Sequence, residues 1–124
     1  MTGNRFLLDT NIILYILGGD KVIANYLFDK ILYTSIICEI ELLSFRSMSS
    51  KQETEIKSFL KEFRIISIDQ SVKDLAISLR KQYNLKVPDS IIAATAISLG
   101  IPLVTSDKGL KSVSDLQIDF YNRT

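Results

Sequence analysis

Arg5-Phe6-Leu7-Leu8-Asp9-Thr10-Asn11 is the stretch from which the rest of this chain is read. Three consecutive apolar residues run into an acid, two small polar residues follow, and the apolar stretch Ile12 to Leu17 begins at once. A continuous apolar run, rather than an alternating one, marks a strand buried on both faces. Asp9 therefore stands where a buried strand surfaces and a helix starts. In open parallel α/β sheets, ligands bind outside the carboxyl ends of the strands. Asp9 is expected to anchor an acidic, metal-binding site on that rim.

Working outward, the pattern alternates between strands and helices. Ile12 to Leu17 reads as a short helix stopped by Gly18-Gly19. Asp20 is placed to cap a helix carrying Val22, Ile23, Tyr26 and Leu27 at helical spacing. Ile31 to Thr34 is a second strand, and Ser35 caps a helix with Ile36, Ile37, Ile40 and Leu43 on one face. A polar break at Ser47 to Ser50 precedes an amphipathic helix, Lys51 to Phe63, with Ile56, Phe59, Leu60 and Phe63 inward. Arg64 to Ile68 is a third strand, and Asp69 starts a helix over Val72 to Tyr83. After the loop Asn84 to Val87, Pro88 suits the first position of a helix over Asp89 to Leu99, ended by Gly100. Pro102 to Thr105 is a fourth strand, closed by the turn Ser106 to Gly109, and Leu116 to Tyr121 reads as an edge strand. This alternation predicts one α/β domain over residues 1–124, three layers (α/β/α), with a mainly parallel sheet of four to five strands. Right-handed crossovers bring successive strand ends to one rim.

Composition narrows the chemistry. The chain has 124 residues, 47% of them hydrophobic, enough for one buried core. It contains no histidine and one cysteine, Cys38. A Ser-His-Asp triad, a Cys-His pair, an ordinary Cys/His zinc site and an intramolecular disulfide are thereby excluded within one chain. Carboxylates, hydroxyls, lysines or an oxygen-bound metal must do the work. No apolar run reaches the roughly 18 to 20 residues of a membrane span, and the N-terminus lacks a signal-peptide core. A soluble cytoplasmic protein is expected, with no membrane contact.

Asp9, Asp89 and Asp107 fall at strand or helix ends that the topology brings towards one rim. Each also has a plain structural explanation. Asp9 can cap a helix, Asp89 can complement a helix dipole, and Asp107 suits a turn before Gly109. Either Glu39 or Glu41 can supply a fourth acid. They flank the helix stripe centred on Ile36 and Ile40, so helical geometry does not choose between them. The dipole accounts for Glu39 but less well for Glu41, which tilts the functional reading slightly towards Glu41. Ala93, Ala96 and Gly100 form a small-residue side on the Asp89 helix, suited to close helix–sheet approach.

Leu8-Asp9-Thr10-Asn11, Ser35 to Leu43, Pro88 to Ala94 and Leu103 to Asp107, in this order, resemble the PIN domain, and most closely its VapC-type toxins of prokaryotic toxin–antitoxin pairs. The resemblance covers essentially the whole chain. It implies a Mg2+- or Mn2+-dependent endoribonuclease whose metal ligands and catalytic acids are Asp9, Glu41, Asp89 and Asp107. Glu41 is selected by its place directly before a leucine in the Ser-x-Ile-x-x-x-Glu-Leu pattern. Asn11 matches a polar residue two positions after the first acid. Two features depart from the pattern: Glu39 is an additional acid, and Asp107 stands where asparagine is frequent. The resemblance also implies an RNA substrate, a cognate antitoxin protein and a homodimer.

Chemically, clustered carboxylates need protons or a cation to coexist. Oxygen-only ligands suit Mg2+ or Mn2+ rather than zinc. Asp9 and Asp89 are assigned as principal ligands, with Glu41 and Asp107 completing the set. Asn11 and Thr105 are candidates to orient those acids by hydrogen bonds. Arg46, Lys51, Lys86, Lys108 and Lys111 are available to meet phosphates, and equally serve as solvated charges. The rival readings are a receiver-like Mg2+-binding signalling domain and a catalytically silent α/β binding module. The receiver reading lacks the adjacent acidic pair after strand one, because Leu8 precedes Asp9.

Overall fold

The computed structural model describes residues 3–122. Its sheet has five strands: β1 (Arg5–Leu8), β2 (Ile31–Ser35), β3 (Arg64–Ile66), β4 (Leu103–Thr105) and β5 (Ile118–Phe120). They pair in the order β3-β2-β1-β4-β5, all parallel. The helices are α1 (Thr10–Leu17), α2 (Lys21–Leu27), α3 (Ile36–Leu43), α4 (Ser50–Leu60), α5 (Gln70–Tyr83) and α6 (Val87–Leu99), with a 3₁₀ turn at Lys108–Ser112. The expected three-layer α/β/α architecture is therefore present. The receiver alternative fails here, because doubly wound receivers order their strands 2-1-3-4-5.

The opening run is apolar because its strand is covered twice. Leu7 lies opposite Tyr33 on β2 and Leu103 on β4, and all three enter the core built with α5 and α6. Phe6 and Leu8 point the other way, joining Val104 and residues of α1, α2 and α4. Leu7 and Leu8 are both 0% exposed. Each such burial contributes about 1.5–3 kcal/mol. After β1 the chain builds β2 and β3 on one side, then crosses back to place β4 on the other. The crevice between the carboxyl ends of β1 and β4 is thus the topological switch point.

Several boundaries and one face differ from expectation. β3 stops at Ile66, two residues short of Ile68, because its partner Ser35 is the last residue of β2 before the chain turns into α3. α1 starts at Thr10 and α6 at Val87, each two residues early, and Pro88 lies inside the first turn. α4 ends at Leu60, although Phe63 beyond it stays buried. β5 is confined to Ile118–Phe120, and the turn after β4 continues as the 3₁₀ segment. The larger correction concerns α3. Its buried residues are Cys38 and Leu42, while Ile40, expected inward, is 55% exposed. α3 runs along the sheet rim, so Cys38 reaches one core and Leu42 the other. Gly100 likewise does not pack against the sheet as Ala93 and Ala96 do. It is exposed and ends α6 in the left-handed conformation, φ 67°.

Candidate active site

Asp9 extends β1 by one residue, its amide donating to the Val104 carbonyl at 3.1 Å. It also caps α1: Oδ1 accepts from the Thr10 amide at 2.8 Å. Oδ2 accepts from the Thr105 hydroxyl at 2.7 Å. The side chain is thereby held by the first residue of α1 and the last of β4, and the residue is only 7% exposed. Burial pushes its pKa above the usual 3.8, the charges of Asp107 and Glu41 push the same way, and the two hydrogen bonds oppose them.

The other acids converge from separate elements. Asp107 follows β4, accepts from the Gly109 amide at 2.9 Å, and donates its own amide to Thr105 Oγ1 at 3.0 Å. Thr105 is fully buried, so its one hydroxyl ties Asp9 to the Asp107 backbone. Asp89 lies half-buried in the first turn of α6. Its pKa is raised by burial, then by the charges of Asp107 and Asp9, with Glu41 contributing least; Lys86 pulls it down. Glu41 reaches the rim from α3, where its Oε1 accepts from the Thr10 hydroxyl at 2.6 Å. Glu39 lies elsewhere, beside Lys57, Lys61 and Phe63. The plain structural roles of Asp9, Asp89 and Asp107 are thus real, and the same residues also meet at one rim.

Asn11 is exposed, and among the described residues it is Thr10, not Asn11, whose hydroxyl meets an acid. Sequence reasoning missed Thr10. Its only signal was adjacency to Asp9, and its partner lies on another helix, 31 residues away. Of the cations, Lys86 acts on Asp89 and Lys111 stands 3.7 Å over the Phe120 ring. Arg46, Lys51 and Lys108 are exposed.

The donor set is chemically suited to a hard divalent cation: four carboxylates on one rim, none with a Lys or Arg nitrogen within 4.0 Å among the described residues. The charges of Asp107 and Glu41 are near enough to add to the upward pKa shifts that burial gives Asp9 and Asp89. Among the described residues, however, no three acids converge closely enough to enclose an ion without side-chain movement.

Comparison with known proteins agrees with this architecture. No curated protein is matched. Among solved structures, the chain is similar to a toxin–antitoxin complex from Klebsiella pneumoniae, with 29% identity, TM-score 0.78, and 89% of this chain and 93% of that chain covered. It is similar to FitAcB from Neisseria gonorrhoeae at 25% identity and TM-score 0.74, covering 94% and 96%. The fold is also shared with VapBC2 from Rickettsia felis bound to a promoter DNA fragment, at 21% identity and TM-score 0.84, covering 95% and 99%. The family model of the PIN domain matches residues 6–116, which takes in Asp9, Glu41, Asp89 and Asp107 alike, and the chain belongs to that family.

Proposed function

We propose that this protein is a metal-dependent endoribonuclease, the toxin of a type II toxin–antitoxin pair. The observation that carries the reading is the isolated acid cluster at the β1–β4 switch point. Asp9 is buried there with both oxygens held, facing the charge of Asp107 and Glu41 without a cationic partner. Membership of the PIN domain family and likeness to toxin–antitoxin complexes support it.

Asp9 and Asp89 would hold Mg2+ or Mn2+, with Glu41 and Asp107 completing the site. When bound, such an ion polarises a phosphoryl oxygen and lowers the pKa of a coordinated water. The protein's own part is orientation. Thr105 fixes Asp9, Thr10 fixes Glu41, and the Gly109 amide fixes Asp107, so three of the four carboxylates are positioned in advance. Lys86 lies near enough to Asp89 to offer positive charge to a phosphate approaching the rim.

The partners in this reading are an RNA substrate, a cognate antitoxin and a second copy of the chain, and the place of action is the cytoplasm. Among the described residues no helix is long and apolar enough to cross a membrane. Incubating the purified protein with RNA and Mn2+, with and without EDTA, tests the activity. Cleavage that EDTA abolishes supports it, and intact RNA in both samples leaves the binding-module reading. Growth arrest relieved by co-expressing the adjacent antitoxin gene tests the biological role.

A further inference from the structure

We propose that Arg5, Tyr33 and Arg64 form a phosphate-type oxyanion site at the rim of the sheet opposite the acids. Arg5 opens β1 and Arg64 opens β3, and Tyr33 lies between them on β2. Both guanidinium groups converge on one phenol oxygen. Arg5 donates through Nε at 3.1 Å and Nη2 at 2.9 Å, and Arg64 through Nη1 at 3.2 Å. Both also lie over the Tyr33 ring, at 5.2 and 5.6 Å from its centroid.

Two like charges held together are unfavourable unless something negative shares them. Among the described residues no carboxylate does, and the Tyr33 phenol is the one group the two share. Asp29 and Glu62 occur in the adjoining turns, yet among the described residues no carboxylate lies within 4.0 Å of either guanidinium. Among the described residues, the ion pair at that distance joins Lys57 and Glu53 on α4. The Tyr33 oxygen accepts all three N–H groups, and hydrogen bonds from Arg5 and Arg64 hold its pKa below the ordinary value. Among the described residues, Arg5 Nη1 and Arg64 Nε and Nη2 meet no acceptor and stay available to a ligand. Arg64 is exposed and Arg5 half-buried, so these donors are reachable from solvent. Guanidinium forks match oxyanions that offer two or more oxygens, and phosphate does so better than chloride. The site is not the acidic one: Asp9 lies four residue steps along the strand from Arg5, roughly 13 Å.

The test is a titration of the full-length, metal-free protein with inorganic phosphate, against potassium chloride at equal ionic strength, followed by the side-chain N–H resonances of Arg5 and Arg64. Saturable shifts in phosphate alone are expected, with a higher melting temperature than in chloride. Arg64→Gln, at an exposed edge-strand position, is expected to weaken phosphate binding about tenfold or more. Tyr33→Phe keeps the ring but not the shared oxygen, and a several-fold loss is expected. Identical responses to phosphate and chloride in the unsubstituted protein would overturn the proposal, as would unchanged binding by a folded Arg64→Gln variant. A 5′-phosphorylated oligonucleotide, added without metal, identifies the source. Competition with phosphate assigns the site to nucleic-acid phosphate, and its absence alongside saturable phosphate binding assigns it to a free anion. Neither result depends on whether the acidic rim cleaves RNA.

Discussion

The Thr105 hydroxyl donates to Asp9 Oδ2 at 2.7 Å and accepts from the Asp107 amide at 3.0 Å, so one buried side chain couples the acids that end β1 and β4. Thr105→Val keeps the shape and removes both bonds. It leaves the Asp107 amide without that partner and Asp9 with one hydrogen bond fewer. A loss of about 1–3 kcal/mol is expected on chemical denaturation, with lower RNA cleavage. Thr105→Ser should recover most of both, and equal stability of the valine and serine variants would contradict the coupling.

Asp9 is both a helix cap and a charge in a crowded, buried place, and two substitutions separate those roles. Asn caps as well as Asp, so Asp9→Asn should match or slightly exceed the parent in stability while abolishing cleavage. Asp9→Ala removes the cap and strands the Thr105 hydroxyl. It is expected to cost about 1 kcal/mol or more. Melting curves and an RNA cleavage assay on the two variants read the difference directly.

The raised pKa values of Asp9 and Asp89 fix the sign of a pH effect. Above the folded-state pKa both carboxylates are ionised, folded or unfolded, and the native state bears the cost of holding them charged. As pH falls from neutral through the folded pKa towards the usual 3.8, the native state takes up protons before the unfolded chain does. Stability contributed by these two groups therefore rises on acidification. Metal-free protein should show this gain in melting temperature, and Asp9→Asn with Asp89→Asn should flatten it.

Thr10 holds Glu41 through an exposed hydrogen bond. An exposed bond contributes little to folding, so Thr10→Val should leave the melting temperature within about 1–2 °C of the parent. Cleavage should fall severalfold as Glu41 loses its orientation, with Thr10→Ser restoring it. Full activity in the valine variant would remove Thr10 from the site.

Binding of Mn2+ to the native state alone would stabilise it, by about 2.7 kcal/mol at a hundredfold excess over the dissociation constant. The parent should therefore melt higher with Mn2+ than with EDTA, whereas Asp9→Asn, Asp89→Asn together should respond weakly. Equal responses would place the ion elsewhere.

The apolar run Phe6 to Leu8 determined the buried central strand, because only a strand covered on both faces leaves no polar position along it. The alternation of elements set the α/β class, and the missing histidine left carboxylates, hydroxyls, lysines or an oxygen-bound metal to do the chemistry. Asp9, Asp89 and Asp107 were visible as acids at element ends. Strand order, and with it the switch point between β1 and β4, came only from the fold. So did the direction of α3, where Cys38 and Leu42 rather than Ile40 turn inward and Glu41 rather than Glu39 meets the rim. The reason is physical: helical periodicity states which residues share a face, but the neighbours that cover that face are fixed by contacts distant in the chain. Thr105 to Asp9 spans 96 residues and Thr10 to Glu41 spans 31, and local sequence carries no record of either.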